Sequence, residues 1–273
     1  MKNHWPLFTP VMLTIMEDQE VHTRNRGLEV LISFLDKCPT SVIKNVGLDR
    51  VFQDAIFPSL LYLPNLTPEP ESVALLQSAY KALLQLAKGC WEHGDPKRQE
   101  LLDKVLRDGI LTGYDHASQY SGVVEVLMHN LGEVLNNLGL LSVKHLTSCL
   151  ALISSVMTDP FMTTRANAII AAMTALRAVI SNCWPRISGK APEGKLMNII
   201  AVCWLNLEDT KASEKLSEVD ASHLTDGLIS ISRMLQALRQ AHGTDVPPEM
   251  LQAIEKEPRL QQLFCMAAIQ VTV

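Results

Sequence analysis

One spacing limits the fold of this chain more than any other feature. Asp18 is followed by Arg24 at +6, Gly27 at +9, Leu31 at +13 and Leu35 at +17, and Asp159 is followed at the same offsets by Arg165, Ala168, Ala172 and Leu176. In both places an apolar helical segment runs into a short turn that carries the acid. A second segment then begins with a base, passes a small residue and continues as an apolar stripe at three- and four-residue steps, one helical face. An aspartate in such a turn accepts amide hydrogen bonds at a helix start and can pair with arginine. The small residue lets two helices approach closely. Asp18 and Asp159 stand 141 residues apart, three steps of 47.

That arrangement is the pattern of a HEAT repeat, whose helix-pair units run at about 40 to 47 residues. Stepping by 47 from Asp18 reaches Asn65, Thr112, Asp159 and Asn206, each at or beside an expected inter-helix turn, so five helix pairs fit. The full signature is confined to residues 5–38 and 143–182. The expected fold is therefore all-α: an α-solenoid of about five HEAT-like helix pairs plus a C-terminal capping segment. Residues 1–273 would form a single elongated domain, with 208–222 either helical or a loop insertion and 247–273 as the cap. Asp18, Arg24, Gly27, Asp159, Arg165 and Ala168 are the residues expected to build the repeat.

Punctuation along the chain supports the pairs. A helix is expected over Trp5–Met16, with Pro10 inside it, and a second one ending near Cys38 and Pro39. The next pair takes Leu48–Tyr62, a proline-stiffened corner at Pro68 and Pro70, and a helix buried through Leu76, Tyr80 and Leu83. Gly94, Asp95 and Pro96 form a stop, a cap and a restart. Gly113–Ser118 reads as the polar turn of the third pair, Ser142 as the cap of the fourth, and Ser188–Gly194 as a short loop. Leu196–Leu207 is apolar nearly throughout and has to be covered, with Leu224, Leu228, Ile231 and Leu235 as the expected cover.

Composition bounds the function. Apolar residues make up 47% of the chain and charged residues 19%, enough to bury a continuous core. The net charge of −5 argues against a protein that holds nucleic acid by neutralising phosphates, which needs a concentrated basic face. The six cysteines are scattered singly, without metal or redox spacing, and read as small core residues in a reducing compartment. The apolar run Leu146–Thr158 falls short of the ~20 residues needed to cross a bilayer, so no membrane partner is expected. There is no phosphate-cradling glycine loop and no nucleophile elbow, and the histidines lack metal-ligand spacing. No catalytic residue, metal or cofactor is expected.

Four side chains stand out as candidate partner contacts. Tyr114 and His116 flank Asp115 in the Gly113–Ser118 stretch. They read either as an acid–base cluster still needing an opposing group and a pocket, or as a network tying adjacent repeats. Trp184 and Arg186 belong to the residue types that anchor interfaces; the alternative has Trp184 filling a gap between repeats and Arg186 capping a helix end. Leu196–Leu207, if incompletely covered, is a further place to look for a partner.

The stretches GYDHAS at Gly113–Ser118, VMTDPF ending at Phe161 and NCWPRI at Asn182–Ile187 carry a more specific likeness. With FQDAIFPSLLYLP at Phe52–Pro64 and CWL at Cys203–Leu205, they resemble the fungal branch of the Tel-interacting protein Two family, the smaller Tti subunit of the Triple-T complex. The resemblance implies a HEAT-like solenoid without enzymatic activity. It implies binding to the large Tti subunit, itself a HEAT solenoid, and through it to Tel-Two, in a co-chaperone that works with the Hsp-ninety machinery. That complex matures PI-kinase-like kinases of the TOR and ATM class, and the implied location is cytoplasmic, with the nucleus as a second compartment. Family members carry a further amino-terminal region, which this sequence is expected to lack. Two other classes share the architecture: a transport or phosphatase scaffold built from similar repeats, and a HEAT-like DNA glycosylase, which would need a basic concave face with a carboxylate beside aromatics.

Overall fold

A computed structural model describes residues 5–187, 191–213, 216–243 and 248–269, and every regular element among them is helical. The chain divides into two compact units, Met1–Asn137 and Leu138–Val273.

In the first unit, α1 (Trp5–Met16) and α2 (Val21–Lys37) pack against each other across the Asp18 turn. Short α3 (Thr40–Val46) leads through left-handed Gly47 into α4 (Leu48–Ile56). The expected helix to Tyr62 is tightened into a 3-10 turn over Phe57–Leu61, where Pro58 supplies no amide donor. Pro68 and Pro70 open α5 (Glu69–Cys90), whose Leu75, Leu76, Ala79, Tyr80 and Leu83 are fully buried. The second helices α2 and α5 lie against each other, as do the first helices α1 and α4, giving two layers.

The third pair begins as expected, with Asp95 accepting from the Lys97 amide at 2.9 Å ahead of α6 (Pro96–Lys104). From there the structure departs from the sequence reading. Helix continues through a π-helical stretch at Val105–Leu111 into α7 (Thr112–Ala117), and the chain turns only at Ser118–Tyr120 before α8 (Ser121–Leu138). Gly113 lies within a helix rather than a turn, and Gly109 before it is a close-approach glycine. A side chain at Gly109 would meet Leu60 and Tyr80 at 3.1 and 3.2 Å, and one at Gly113 would meet Leu127 at 3.4 Å. Thr112 therefore opens a helix instead of sitting in a turn.

The second unit starts with left-handed Gly139 and a 3-10 segment over Gly139–His145. Ser142 does not cap the next helix; its hydroxyl donates back to the Gly139 carbonyl at 2.6 Å and touches Cys183 Sγ at 3.2 Å. The pairs α9 (Leu146–Met157) with α10 (Met162–Cys183) and α11 (Ala191–Ala212) with α12 (Glu218–His242) again stack in two layers, α9 on α11 and α10 on α12. Helix α11 takes in Ala191–Gly194, which had read as loop. Of residues 208–222, those up to Ala212 end α11 and those from Glu218 open α12, while 214 and 215 lie outside the described residues. The last segment forms α13 (Pro248–Lys256) and α14 (Leu260–Ile269), with α14 packed on α11 and α12.

By length and composition alone, two helical stretches are apolar enough to cross a bilayer, Ser121–Met157 and Arg165–Arg186. The first is interrupted at Gly139, and both turn their apolar faces into the core, where Leu131, Val134, Ile153, Ile169 and Leu176 are fully buried.

A candidate partner-binding edge

The two signature turns fold alike at the aspartate and differently at the arginine. Asp18 Oδ1 accepts from the Glu20 amide at 2.8 Å, and Asp159 Oδ1 from the Phe161 amide at 2.9 Å, so each closes the same local turn. Arg165 then pairs with the Asp159 carboxylate at 3.2 Å. Arg24 instead donates from Nε to the Asp18 carbonyl at 3.0 Å. It reaches Ser59 Oγ at 3.4 Å and lies over the Tyr62 ring at 4.6 Å, so the expected acid–base pair is replaced by a link to the next helix pair. Gly27 permits a close contact between α1 and α2, since an added Cβ would stand 2.8 Å from the Met16 amide nitrogen. Ala168 is fully buried on α10. These residues organise interiors and turns.

The sites found by stepping 47 residues separate here. Asn65 lies in a turn, whereas Asn206 is inside α11, where its amide donates to the Thr158 carbonyl of the α9–α10 turn at 3.3 Å. Helix α11, the apolar run considered as a partner surface, is covered instead. Leu196, Ile200, Cys203, Trp204 and Leu207 are fully buried against neighbouring helices, and Trp204 Nε1 donates to the Arg259 carbonyl at 3.0 Å.

Two interior ionic arrangements gave no sign in the motif reading. Arg98, buried in unit 1, donates to the Trp91 carbonyl at 3.1 Å and to Asn137 Oδ1 at 2.8 Å, and burial lowers its pKa. In unit 2, Glu193 of α11 pairs with Arg239 of α12, and both side chains are buried. They stand 46 residues apart, about one repeat step, and that separation was the available signal.

Of the four candidate contacts, Tyr114 is half-buried and His116 exposed on α7, in a helix rather than a turn. Among the described residues no group of three or more His, Cys, Asp and Glu could hold a metal ion. The buried thiols are held in the neutral form: burial pushes Cys149 and Cys203 up to about 12 and Cys90 up to about 11.

Trp184 and Arg186 fall elsewhere. They lie in a 3-10 turn, Trp184–Arg186, that closes α10; Trp184 is 40% exposed and Arg186 is exposed. The indole stacks on the ring of His242 at the end of α12, with centroids 5.3 Å apart and planes 26° apart. Next to them, tied by the Ser142–Cys183 contact, the Gly139–His145 segment exposes Leu140 and Leu141. An exposed apolar and aromatic strip on the rim of a helix stack can anchor a protein.

Paired helices stacked in two layers, with side-chain chemistry devoted to packing and an aromatic rim open to contact, define a helical-repeat scaffold protein. The sequence profile of the Tti2 family matches residues 1–164, more than half of the chain. The chain belongs to the Tti2 family. No curated protein and no solved structure matches it significantly.

Proposed function

We propose that this protein is the non-catalytic Tti2-type scaffold subunit of the Triple-T complex. Its helix pairs hold the large Tti subunit and, through that subunit, Tel-Two. In this reading the assembly works beside the Hsp-ninety machinery to mature PI-kinase-like kinases of the TOR and ATM class. It acts in the cytoplasm, with a nuclear share. The observation that carries the reading is family membership over residues 1–164. The helix-pair architecture agrees with it, because stacked pairs present long rigid ridges suited to binding another extended chain.

The test is co-expression of the chain with the large Tti subunit and Tel-Two, followed by size-exclusion chromatography. A stoichiometric peak containing the chain and the large subunit supports the reading, and depletion of the chain in cells then lowers the steady-state level of the TOR- and ATM-class kinases. Separate elution of a folded, monodisperse chain refutes it.

A further inference from the structure

In the first unit α5 runs between two neighbours. On one side Gln85 donates from Nε2 to the Ile32 carbonyl of α2 at 3.2 Å and to the Asp36 carboxylate. On the other, the Gly122 amide of α8 donates to the Glu69 carboxylate at 3.0 Å, and Lys88 pairs with Glu133 at 3.3 Å. Between these walls lies an open trough of about 750 Å³, floored by one helical face of α5 that runs from Gln77 through Lys81 and Leu84 to Lys88. Two carboxylates, Asp36 and Glu133, balance two ammonium groups, Lys81 and Lys88, so with His129 neutral its lining carries no net charge. What it offers instead is side-chain amide groups: Gln77, Gln85 and Asn130 all line it. Asn130 is only 6% exposed, and its Nδ2 donates to the Val126 carbonyl at 2.8 Å, while its Oδ1 bonds nothing among the described residues. Burying an amide is costly unless its polar atoms are bonded, and here one end is bonded and the other belongs to the trough. Gln85 spends its Nε2 donors on α2 and keeps its Oε1, and among the described residues both ends of the exposed Gln77 amide are unengaged.

We infer that this trough binds an extended segment of a partner polypeptide by its main chain. Each peptide unit presents one N–H and one C=O, and a side-chain amide carries the matching acceptor and donor. The length agrees: Gln77 to Lys88 spans about 16 Å at 1.5 Å per residue, room for about five residues of extended chain at ~3.3 Å each. The width agrees as well. Packed helices lie about 8–10 Å apart, which sets the axes of α2 and α8, on either side of α5, about 16–20 Å apart. Subtracting helices 10–12 Å across leaves roughly 6–8 Å, too narrow for another helix to reach the floor. Leu35 and Leu84 give the trough a small apolar patch, so main-chain bonds supply affinity and alternate side chains of the segment supply selectivity. Nucleic acid is a poorer match, because phosphate neutralisation calls for an excess of Lys and Arg that a balanced lining lacks. Binding here is independent of any contact with the large Tti subunit.

The test pans a displayed library of random peptides, about twelve residues long, on the full chain and then measures the selected peptides, fluorescein-labelled, by fluorescence anisotropy. Affinity at 50 and 300 mM NaCl is expected to differ less than threefold, since salt screens exposed charges and not hydrogen bonds between neutral amides. Gln77→Ala combined with Asn130→Ala is expected to weaken binding at least tenfold with unchanged circular dichroism melting. Should loss of Asn130 lower the melting temperature, Gln77→Trp, which plugs the exposed stripe without touching the interior, is expected to give the same loss. N-methylation of alternate peptide amides removes main-chain donors without changing the side chains, and is also expected to cost at least tenfold. Arg26→Ala, on the exposed side of α2, is expected to leave binding unchanged. No selected peptide, full affinity of the N-methylated peptides or of Gln77→Trp, or a helical circular dichroism signal gained by the bound peptides overturns the proposal. So does a single-stranded oligonucleotide that displaces the selected peptides, or a dimer of the chain that Gln77→Trp dissociates.

Discussion

Replacing Gly27 by alanine sets two effects of opposite sign against each other, and the structure decides between them. Alanine in a helix interior is favoured over glycine by about 1 kcal/mol, so on propensity alone Gly27→Ala stabilises α2. The added Cβ, however, would stand 2.8 Å from the Met16 amide nitrogen, 2.9 Å from Met16 Cγ and 3.0 Å from the Ile15 carbonyl carbon. Ordinary contact lies near 3.5 Å. Two of the three atoms are backbone and cannot rotate away, so α1 and α2 have to separate by roughly 0.7 Å. Overpacking of this kind costs about 1–3 kcal/mol, and the upper part of that range applies where backbone has to move. The expected net loss is about 1–2 kcal/mol. Gly89→Ala provides the control, because nothing lies within 4 Å of its added Cβ near the exposed end of α5; the same chemical change there gains a few tenths of a kcal/mol up to about 1. Urea unfolding followed by circular dichroism, with the slope unchanged, checks both. Gly27→Ala should unfold at lower urea than the parent and Gly89→Ala at slightly higher. A Gly27→Ala midpoint at or above that of Gly89→Ala would refute the close-approach argument.

Three other perturbations have expected outcomes. Glu193→Ala removes the buried carboxylate that pairs with Arg239 and should cost about 3–5 kcal/mol, whereas Glu193→Leu with Arg239→Met removes both charges and should recover most of that loss; thermal melts of the two variants decide it. The neutral thiols of Cys149 and Cys203, pushed up to about 12 by burial, make the folded state bind more protons than the unfolded one between about pH 9 and 12, so stability falls as pH rises through that window. Urea midpoints from pH 8 to 10.5 should drop, and Cys149→Ala with Cys203→Ala should flatten the slope relative to the parent. Asp159→Asn keeps the turn acceptor but loses the pair with Arg165 and should cost about 0.5–1 kcal/mol, while Asp18→Asn, whose arginine bonds a carbonyl, should be neutral in the same urea assay.

The parts of the fold legible in the sequence were those written by local rules. Gly94, Asp95 and Pro96 punctuate the chain as read, because a left-handed glycine, a capping carboxylate and a proline at the first helical position act within a few residues. The stripe of α5 is buried as its periodicity indicated, with Leu76, Tyr80 and Leu83 out of solvent. Misreadings arose where a residue's reason lies across the core. Gly113 looked like a turn glycine, yet it is buried inside α7, where the helix runs on from the π-helical stretch before it. Glu193 and Gly194 looked like loop because a glutamate at the start of an apolar helix reads as solvent-facing; Arg239, 46 residues on, makes it interior. Of the candidate rim, Trp184 and Arg186 were visible as residue types. Their surroundings were not, because the His242 ring that stacks on Trp184 and the exposed Leu140 and Leu141 come from segments far apart in sequence.

The signature that first suggested repeats shows how far such a pattern reaches. In both copies the aspartate does the same work, since its partner amide is two residues away and the turn brings it there whatever surrounds it. The arginine sits six residues on, at the end of a long side chain, and its surroundings decide where the charge goes. Arg165 remains partly solvated and takes the nearby carboxylate. Arg24 is buried, and a guanidinium out of water needs several acceptors in fixed positions. The Asp18 carbonyl and the Ser59 hydroxyl supply acceptors, and the Tyr62 ring gives its face to the cation. Two of these three partners come from the next helix pair. One spacing in sequence therefore yields a link within a repeat in one unit and a link between repeats in the other. In a stacked array that difference matters, because the interfaces between pairs set how far stability couples along the stack.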